Sequence, residues 1–332
     1  MGGFLESEKP KQTQFKANSG YFSELAKPNG IYKGKPRTFC LPVESAQQNL
    51  FPEIQGSALA YFAEHSIKWH DGQNGKPSNH LCDSQVCCVN FLFPFAGQPG
   101  SLARLLRPVF PAIERMFPVE SGQYVSFEWI GAKNYLCEKI SRNGQRSRGA
   151  NCTSADAIVM FERTDKKRQV VLIEWKYTES YGRTSLKIAK SGTDRTAIYR
   201  PLFYSADCPI DKERLLGFEG LFYEPFYQFM RQQFLAHEME KAHELGADIV
   251  SVLHIAPEHN KEFRKITSPV LAGLGESATG VWKSLVKTKG GFISVSTEQL
   301  FGNLSEEQLP EMKAWLEYIR ARYAWVRENA EA

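Results

Sequence analysis

The sequence predicts an α/β protein in which a mixed central sheet is flanked by helices, with additions at both ends of the chain. Three observations carry this. The segments YVSFEWI, SADAIVMFE and QVVLIEWKY follow one another after Gly122, each short and rich in β-formers. Next, YEPFYQFMRQQFLAHEMEKAHELG keeps a helical period for over twenty residues and runs straight into the apolar ADIVSVLHIAP, the pattern of a crossover onto a parallel strand. Finally, 332 residues with 42% hydrophobic content supply ample material for a core.

Taken in order, the chain is polar up to about residue 50, with scattered Gly and Pro and no sustained period, and reads as an extended arm. Residues 46–65 fit a helix, and GQNGKPS breaks the chain after it. In HLCDSQVCCVNFLFPF, the residues Leu81, Val86, Val89 and Phe93 line one face of a buried helix. SLARLLRPVFPAIERMFP predicts a second helix, interrupted near Pro108 and Pro111. DKKR makes a polar turn between the last two of the three strands. Gly246 is placed to cap the long helix. GFISVSTEQLF reads as a further strand, and SEEQLPEMKAWLEYIRARYAWVREN as a closing helix with Ser305 at its N-cap. The chain thus divides into an N-terminal arm and helical region over residues 1–100, a core over 101–304, and a C-terminal helix over 305–332 packed on that core. No internal repeat is evident.

No apolar run reaches the roughly 18 residues a membrane-spanning helix needs, and MGGFLESEKPKQTQF lacks the apolar stretch of a secretory signal. Glu6 stands where a myristoylation signal requires Ser or Thr. A cytoplasmic location is expected. Seven cysteines, odd in number and unevenly spread, suit reduced thiols better than a disulfide framework. His80, Cys82, Cys87 and Cys88 offer zinc-type ligands at poor spacing: adjacent Cys87 and Cys88 diverge by about 100° on a helix, so a packed helix with buried thiols is the expectation.

A formal charge of +4 says little by itself. Its distribution says more, because residues 183–200 hold Arg183, Lys187, Lys190, Arg195 and Arg200 against the single acid Asp194. Arg142, Arg146 and Arg148 form a second group in the loop-like SRNGQRSRGA. A basic run is ordinarily a solvated face, so position has to decide, and both groups flank one motif.

On the strand QVVLIEWKY, Glu174 and Lys176 are two residues apart and leave the same face as Leu172, while Val171 and Ile173 point the other way. A half-buried strand normally gives that face to apolar packing, since unpaired buried charge is costly. Asp156 starts the preceding strand, eighteen residues before Glu174. If the strands pair through a turn at residues 165–168, the two acids meet only where the strand ends splay or the register is offset.

Asp156 followed by Glu174-Trp175-Lys176 resembles the Asp…Glu-x-Lys signature of the PD-(D/E)XK nuclease superfamily. The superfamily core runs helix, three strands, helix, strand (αβββαβ), and residues 101–257 follow that order. TSADAIVMF…VLIEWKYTESY resembles more closely a group of bacterial restriction endonucleases; Ala155 replaces the nominal Pro, a position without chemistry. The resemblance covers about half the chain and implies a restriction-endonuclease-like core and a Mg²⁺-dependent nuclease, with Mn²⁺ as a substitute ion and DNA as partner. It implies that Asp156, Glu174 and the backbone carbonyl of Trp175 hold the ion, hard oxygen donors suiting Mg²⁺, and that Lys176 orients the attacking water and offsets phosphoryl charge. Arg146, Arg148, Arg183, Lys187, Lys190 and Arg195 then become candidate phosphate contacts. A repair- or phage-type structure-specific nuclease and a DNA-binding module that no longer cuts are the other readings, and a homodimer is left open. An assisting acid is common in the superfamily, and Glu114, Glu128 and Glu138 are all candidates. Gln228, Arg231 and Gln232 either face the site or form an ordinary polar helix face, the commoner arrangement. Some exonuclease branches hold an iron–sulfur cluster through several downstream cysteines; only Cys208 lies downstream here.

Overall fold

The computed structural model describes residues 3–120, 122–138, 146–150, 152–215 and 217–327. The stretch read as an extended arm is folded. It opens with α1 (Phe4–Asn18), followed by a hairpin of β1 (Gly30–Tyr32) and β2 (Lys35–Arg37). Periodicity does not reveal α1 because its inner face is polar: Glu8, Gln12 and Lys16 are buried, and a helix without an apolar stripe has no helical signature. Their partners come from distant chain. Tyr177 and Trp325 donate to Glu8 at 2.7 and 3.1 Å, Gln12 donates to the Arg322 carbonyl at 3.0 Å, and Lys16 donates to the Cys40 carbonyl at 3.0 Å.

Three further helices precede the sheet: α2 (Gln55–Glu64), α3 (Ser84–Leu92) and α4 (Pro99–Leu106). Asp83 caps α3 by accepting the Val86 N–H at 2.8 Å. Residues 85–92 are all buried, so α3 is enclosed on every side rather than along the one face expected. α4 ends before Pro108, and the second half of the stretch read as helix is a strand, β3 (Ile113–Phe117). Pro108 and Pro111 account for the change, since the residue before a proline is driven out of helical geometry.

The three expected strands are β4 (Val125–Trp129), β5 (Ala155–Arg163) and β6 (Arg168–Trp175). β5 pairs antiparallel with β6 on one side and with β3 and β4 on the other. After α5 (Arg195–Tyr204) and α6 (Phe226–Lys241), β7 (Ile249–Ala256) returns parallel to β6, as a crossover requires. Gly246 does not cap α6, whose C-cap is Ala242; it closes the next turn at φ 71°, behind His243 and Leu245, themselves left-handed. α7 (Ala278–Leu285) leads to β8 (Phe292–Ser296), parallel to β7, then α8 (Thr297–Phe301) and α9 (Lys313–Arg322). The closing helix is shorter than expected. Ser305 caps only a turn, through the Gln308 N–H at 3.3 Å, and the helix begins after Pro310.

The result is a six-stranded mixed sheet flanked by helices. Alternation sorts the side chains. Ala157, Val159, Phe161, Val171, Ile173 and Leu253 face α3 and the chain-terminal helices, whereas Ile158, Met160, Val170, Leu172 and Val252 face α6 and α7. Among the described residues no helix is long and apolar enough to cross a membrane.

Candidate active site

The ladder between β5 and β6 ends at the pair Ala157 and Ile173. One step further Asp156 stands opposite Glu174, without any offset of register. There the backbone bonding stops, because the Trp175 N–H turns to the Asp156 carboxylate at 2.6 Å. Lys176 stays tied to the other neighbour, its N–H donating to the Ile255 carbonyl at 2.8 Å. The Lys176 ammonium bonds to the Glu174 carboxylate and lies 4.0 Å from Asp156 Oδ2. Eighteen residues of sequence thus close to one cluster, on the sheet face that α6 covers. Glu174 and Lys176 are 4% and 5% exposed, so their charges depend on each other.

The electrostatics follow from crowding. Burial pushes the Asp156 carboxyl well above its ordinary range, and the charges of Glu174 and Glu128 add to this against the opposing Lys176. Burial works against the Lys176 ammonium, yet Glu174, Tyr181, Asp156 and Glu179 outweigh it and hold its pKa well above the usual lysine value. More acid than base faces this cleft, a charge imbalance that a cation relieves. Among the described residues no group of three or more His, Cys, Asp or Glu is placed to hold a metal ion. The donors that fit a hard divalent cation are instead the two carboxylates and a backbone oxygen. The Trp175 carbonyl lies on the same strand edge as its N–H, toward Asp156, with Ser84 Oγ approaching at 3.5 Å.

Helix α6 supplies the facing wall. Gln228, Arg231 and Gln232 all line the cleft, whose volume is about 320 Å³. Gln232 donates to Glu174 Oε2 at 2.8 Å and to the Ser154 carbonyl at 2.6 Å, fixing one carboxylate oxygen while Lys176 takes the other. These residues are therefore not a solvated helix face. Of the three candidate acids, Glu128 lies nearest the cluster: it is buried on β4, accepts from Gln85 at 2.6 Å and from Ser154 at 2.7 Å, and has His70 Nε2 at 3.6 Å. Its backbone is left-handed, φ 51°, a conformation non-glycine residues seldom take. Glu138 accepts the Thr153 N–H and hydroxyl at 2.7 and 2.6 Å and the Tyr199 hydroxyl at 2.6 Å, so it shapes the loop before Asp156. Glu114 pairs at 2.6 Å with Lys166 in the exposed turn at the opposite end of β5 and β6.

The lining also includes His70, Gln85, Glu179 and Tyr181, which sequence reasoning did not single out as site residues. His70 and Gln85 come from the first hundred residues, where no motif stands out. Glu179 accepts the Tyr177 N–H at 2.7 Å, and its one sequence signal is closeness to Lys176.

The basic residues divide. Arg148 is committed to the interior, donating to the Phe127 carbonyl at 3.0 Å, to Glu120 at 2.7 Å and to the Tyr61 hydroxyl at 2.9 Å. This corrects its reading as a phosphate contact: its guanidinium holds the fold. Arg146 likewise donates to the carbonyls of Ile130 and Gly131 at 2.7 and 2.8 Å; Arg142 lies outside the described residues. Lys187 pairs with Glu219, and Arg195 donates to the Leu186 carbonyl at 3.0 Å and lies 5.5 Å over the Tyr227 ring. Arg183 and Lys190 are exposed. The His80 and cysteine group is packing: His80 Nδ1 accepts the Cys82 N–H at 3.1 Å, and burial raises the thiols of Cys82, Cys87 and Cys88, which keeps them protonated.

The chain matches the family described as restriction endonuclease associating with ARP over residues 9–324. No curated protein and no solved structure matches it. The family match runs from within α1 to just beyond α9, taking in the N-terminal helices and the whole sheet along with the acid cluster. With that extent and this mixed sheet, the protein belongs to the family described as restriction endonuclease associating with ARP.

Proposed function

We propose that the protein is a Mg²⁺-dependent deoxyribonuclease of the PD-(D/E)XK type, cutting phosphodiester bonds internally in restriction or defence, with Mn²⁺ able to replace Mg²⁺. The observation that carries the reading is the meeting of Asp156, Glu174 and Lys176 where the β5–β6 ladder ends. Asp156, Glu174 and the Trp175 carbonyl would hold the ion. When bound, the ion supplies Lewis acidity at the scissile phosphate and a nucleophile from water near neutral pH.

The chain's own residues supply the rest. Gln232 fixes the direction in which the Glu174 carboxylate points. Lys176, kept charged by its acids, is placed to orient water and to offset charge on the phosphoryl oxygens. Glu128 acts through Ser154, two residues before Asp156, as the assisting acid. Exposed Arg183 and Lys190 lead DNA toward the cleft.

Plasmid nicking with Mg²⁺, Mn²⁺, Ca²⁺ or chelator tests this on wild type, Lys176→Ala and Glu174→Gln. Mg²⁺ and Mn²⁺ should support cutting, and Ca²⁺ should support binding alone. Lys176→Ala should slow cutting by about 10²–10³-fold with DNA affinity nearly intact, and Glu174→Gln should weaken metal binding as well. Metal-independent cutting, or cutting that survives both substitutions, removes these residues from the mechanism. Binding with no cutting in any metal assigns the protein to non-cleaving modules of the same fold.

A further inference from the structure

We infer that Arg231 is a catalytic residue of this cleft, its guanidinium fork holding the non-bridging oxygens of the phosphate under attack. The inference rests on the nuclease reading above and goes beyond it. The Arg231 side chain projects from α6 into the cleft, one residue before Gln232. Tyr227, one turn earlier, lies under it, with the guanidinium carbon 4.6 Å from the ring centre. Its one hydrogen bond among the described residues is a long one, from Nη1 to Thr153 Oγ1 at 3.3 Å, and its Nε is buried without a partner. Glu224 and Glu138 act on it through their fields, yet no described carboxylate lies within ion-pair distance of it.

A guanidinium has five N–H donors in a fixed plane. Leaving a buried donor unbonded costs roughly 1–3 kcal/mol, and more for a charged group, so an arginine kept for packing alone is normally paired. Lys176 gives one of its three N–H donors to Glu174. An incoming phosphate therefore meets, beside Lys176, a guanidinium whose donors are largely unspent. Two parallel N–H donors match two phosphoryl oxygens, and those oxygens carry the charge spread over the phosphoryl group in the transition state. The Tyr227 ring beneath it and the Thr153 contact restrict where the guanidinium can go.

Arg231→Lys keeps the charge and removes the fork; Arg231→Gln removes both. Cutting of a duplex oligonucleotide with Mg²⁺ should show kcat lowered by about 10²-fold in Arg231→Lys, with KM changed by less than about threefold and the wild-type melting temperature retained. Binding of the same duplex with Ca²⁺ over a salt series should show the log–log slope of Arg231→Gln reduced by about one. Wild-type kcat in Arg231→Lys, or a loss confined to KM, overturns the inference, as does an unchanged salt slope in folded Arg231→Gln. Should Arg231→Gln fail to fold, Arg231→Lys decides alone. Failure of the nuclease reading looks different: Lys176→Ala then cuts like wild type, or no variant cuts, and the salt slope still decides whether Arg231 meets phosphate.

Discussion

Asp156 is buried beside Glu174 and Glu128, which raise its pKa with burial, while Lys176 and the Trp175 N–H oppose them. The folded protein holds its proton more tightly than the unfolded chain does. Its contribution is therefore fully stabilising below an unfolded pKa of about 4 and is lost as pH rises through the raised folded value. Above the ordinary aspartate range, keeping this carboxyl buried weakens the fold. Asp156→Asn removes that charge and keeps an oxygen to accept the Trp175 N–H, so a melt at neutral pH without divalent ions should show a rise of about 2–4 °C, the response to roughly 1 kcal/mol. The gain should shrink as pH falls toward the aspartate range, and activity should vanish with the charge. A melting temperature at or below wild type would show that the neighbouring acids place no strain on this residue. Sites that trade stability for chemistry behave as predicted here. At this scale the sequence was already informative, because Glu174 and Lys176 two apart on a strand announce a charged inner face without any knowledge of what covers it.

Among the elements, α3 links the core to the cleft. Its first turn carries Ser84 and Gln85 to the site, and its start depends on Asp83. Burial raises the Asp83 carboxyl to about 7, against the Val86 N–H that favours the charged form. Removing the cap in Asp83→Ala should destabilise the protein by about 1 kcal/mol, read as a lower melting temperature. Asp83→Asn retains an acceptor and should be close to wild type in mildly acidic buffer. Because the raised pKa gives stability that is lost as pH rises through about 7, the Asn variant should overtake wild type in mildly alkaline buffer. Equal melting curves for wild type and Asn across that range would rule out a titrating cap. The existence of α3 could be read from its apolar residues, but its burial on all sides could not, since helical spacing reports one apolar face and not how many neighbours surround it.

Across the whole molecule, the two ends of the chain close over one face of the sheet. Arg322 on α9 is buried and donates to Gln12 Oε1 at 3.1 Å, to the Asn49 carbonyl at 2.6 Å and to the Leu81 carbonyl at 3.1 Å. Phe15 of α1 packs edge-on against Tyr318 at 6.0 Å. α3 lies in the same core as Val159, Ile173 and Trp175. A chain beginning at residue 101 would expose that apolar face of the sheet, and a patch of this kind favours aggregation. Such a chain should lack a cooperative melt and near-ultraviolet circular dichroism. A cooperative transition from it would instead establish residue 100 as a genuine domain boundary, the division suggested by composition.

The sequence by itself determined what depends on neighbours along the chain. Short runs of β-formers marked β5 and β6, two-residue spacing put Glu174 and Lys176 on one face, and a long helix running into an apolar strand marked the parallel return of β7. Tertiary structure decided everything that depends on residues far apart. It turned Gln232 and Arg231 inward, brought His70, Gln85 and Glu128 to the acids, withdrew Arg148 into the interior, and made a helix of the polar stretch around Glu8, Gln12 and Lys16. A polar side chain gives no local sign of whether water or a distant partner will satisfy it. The hydrogen bonds that answer the question form only when the chain has closed.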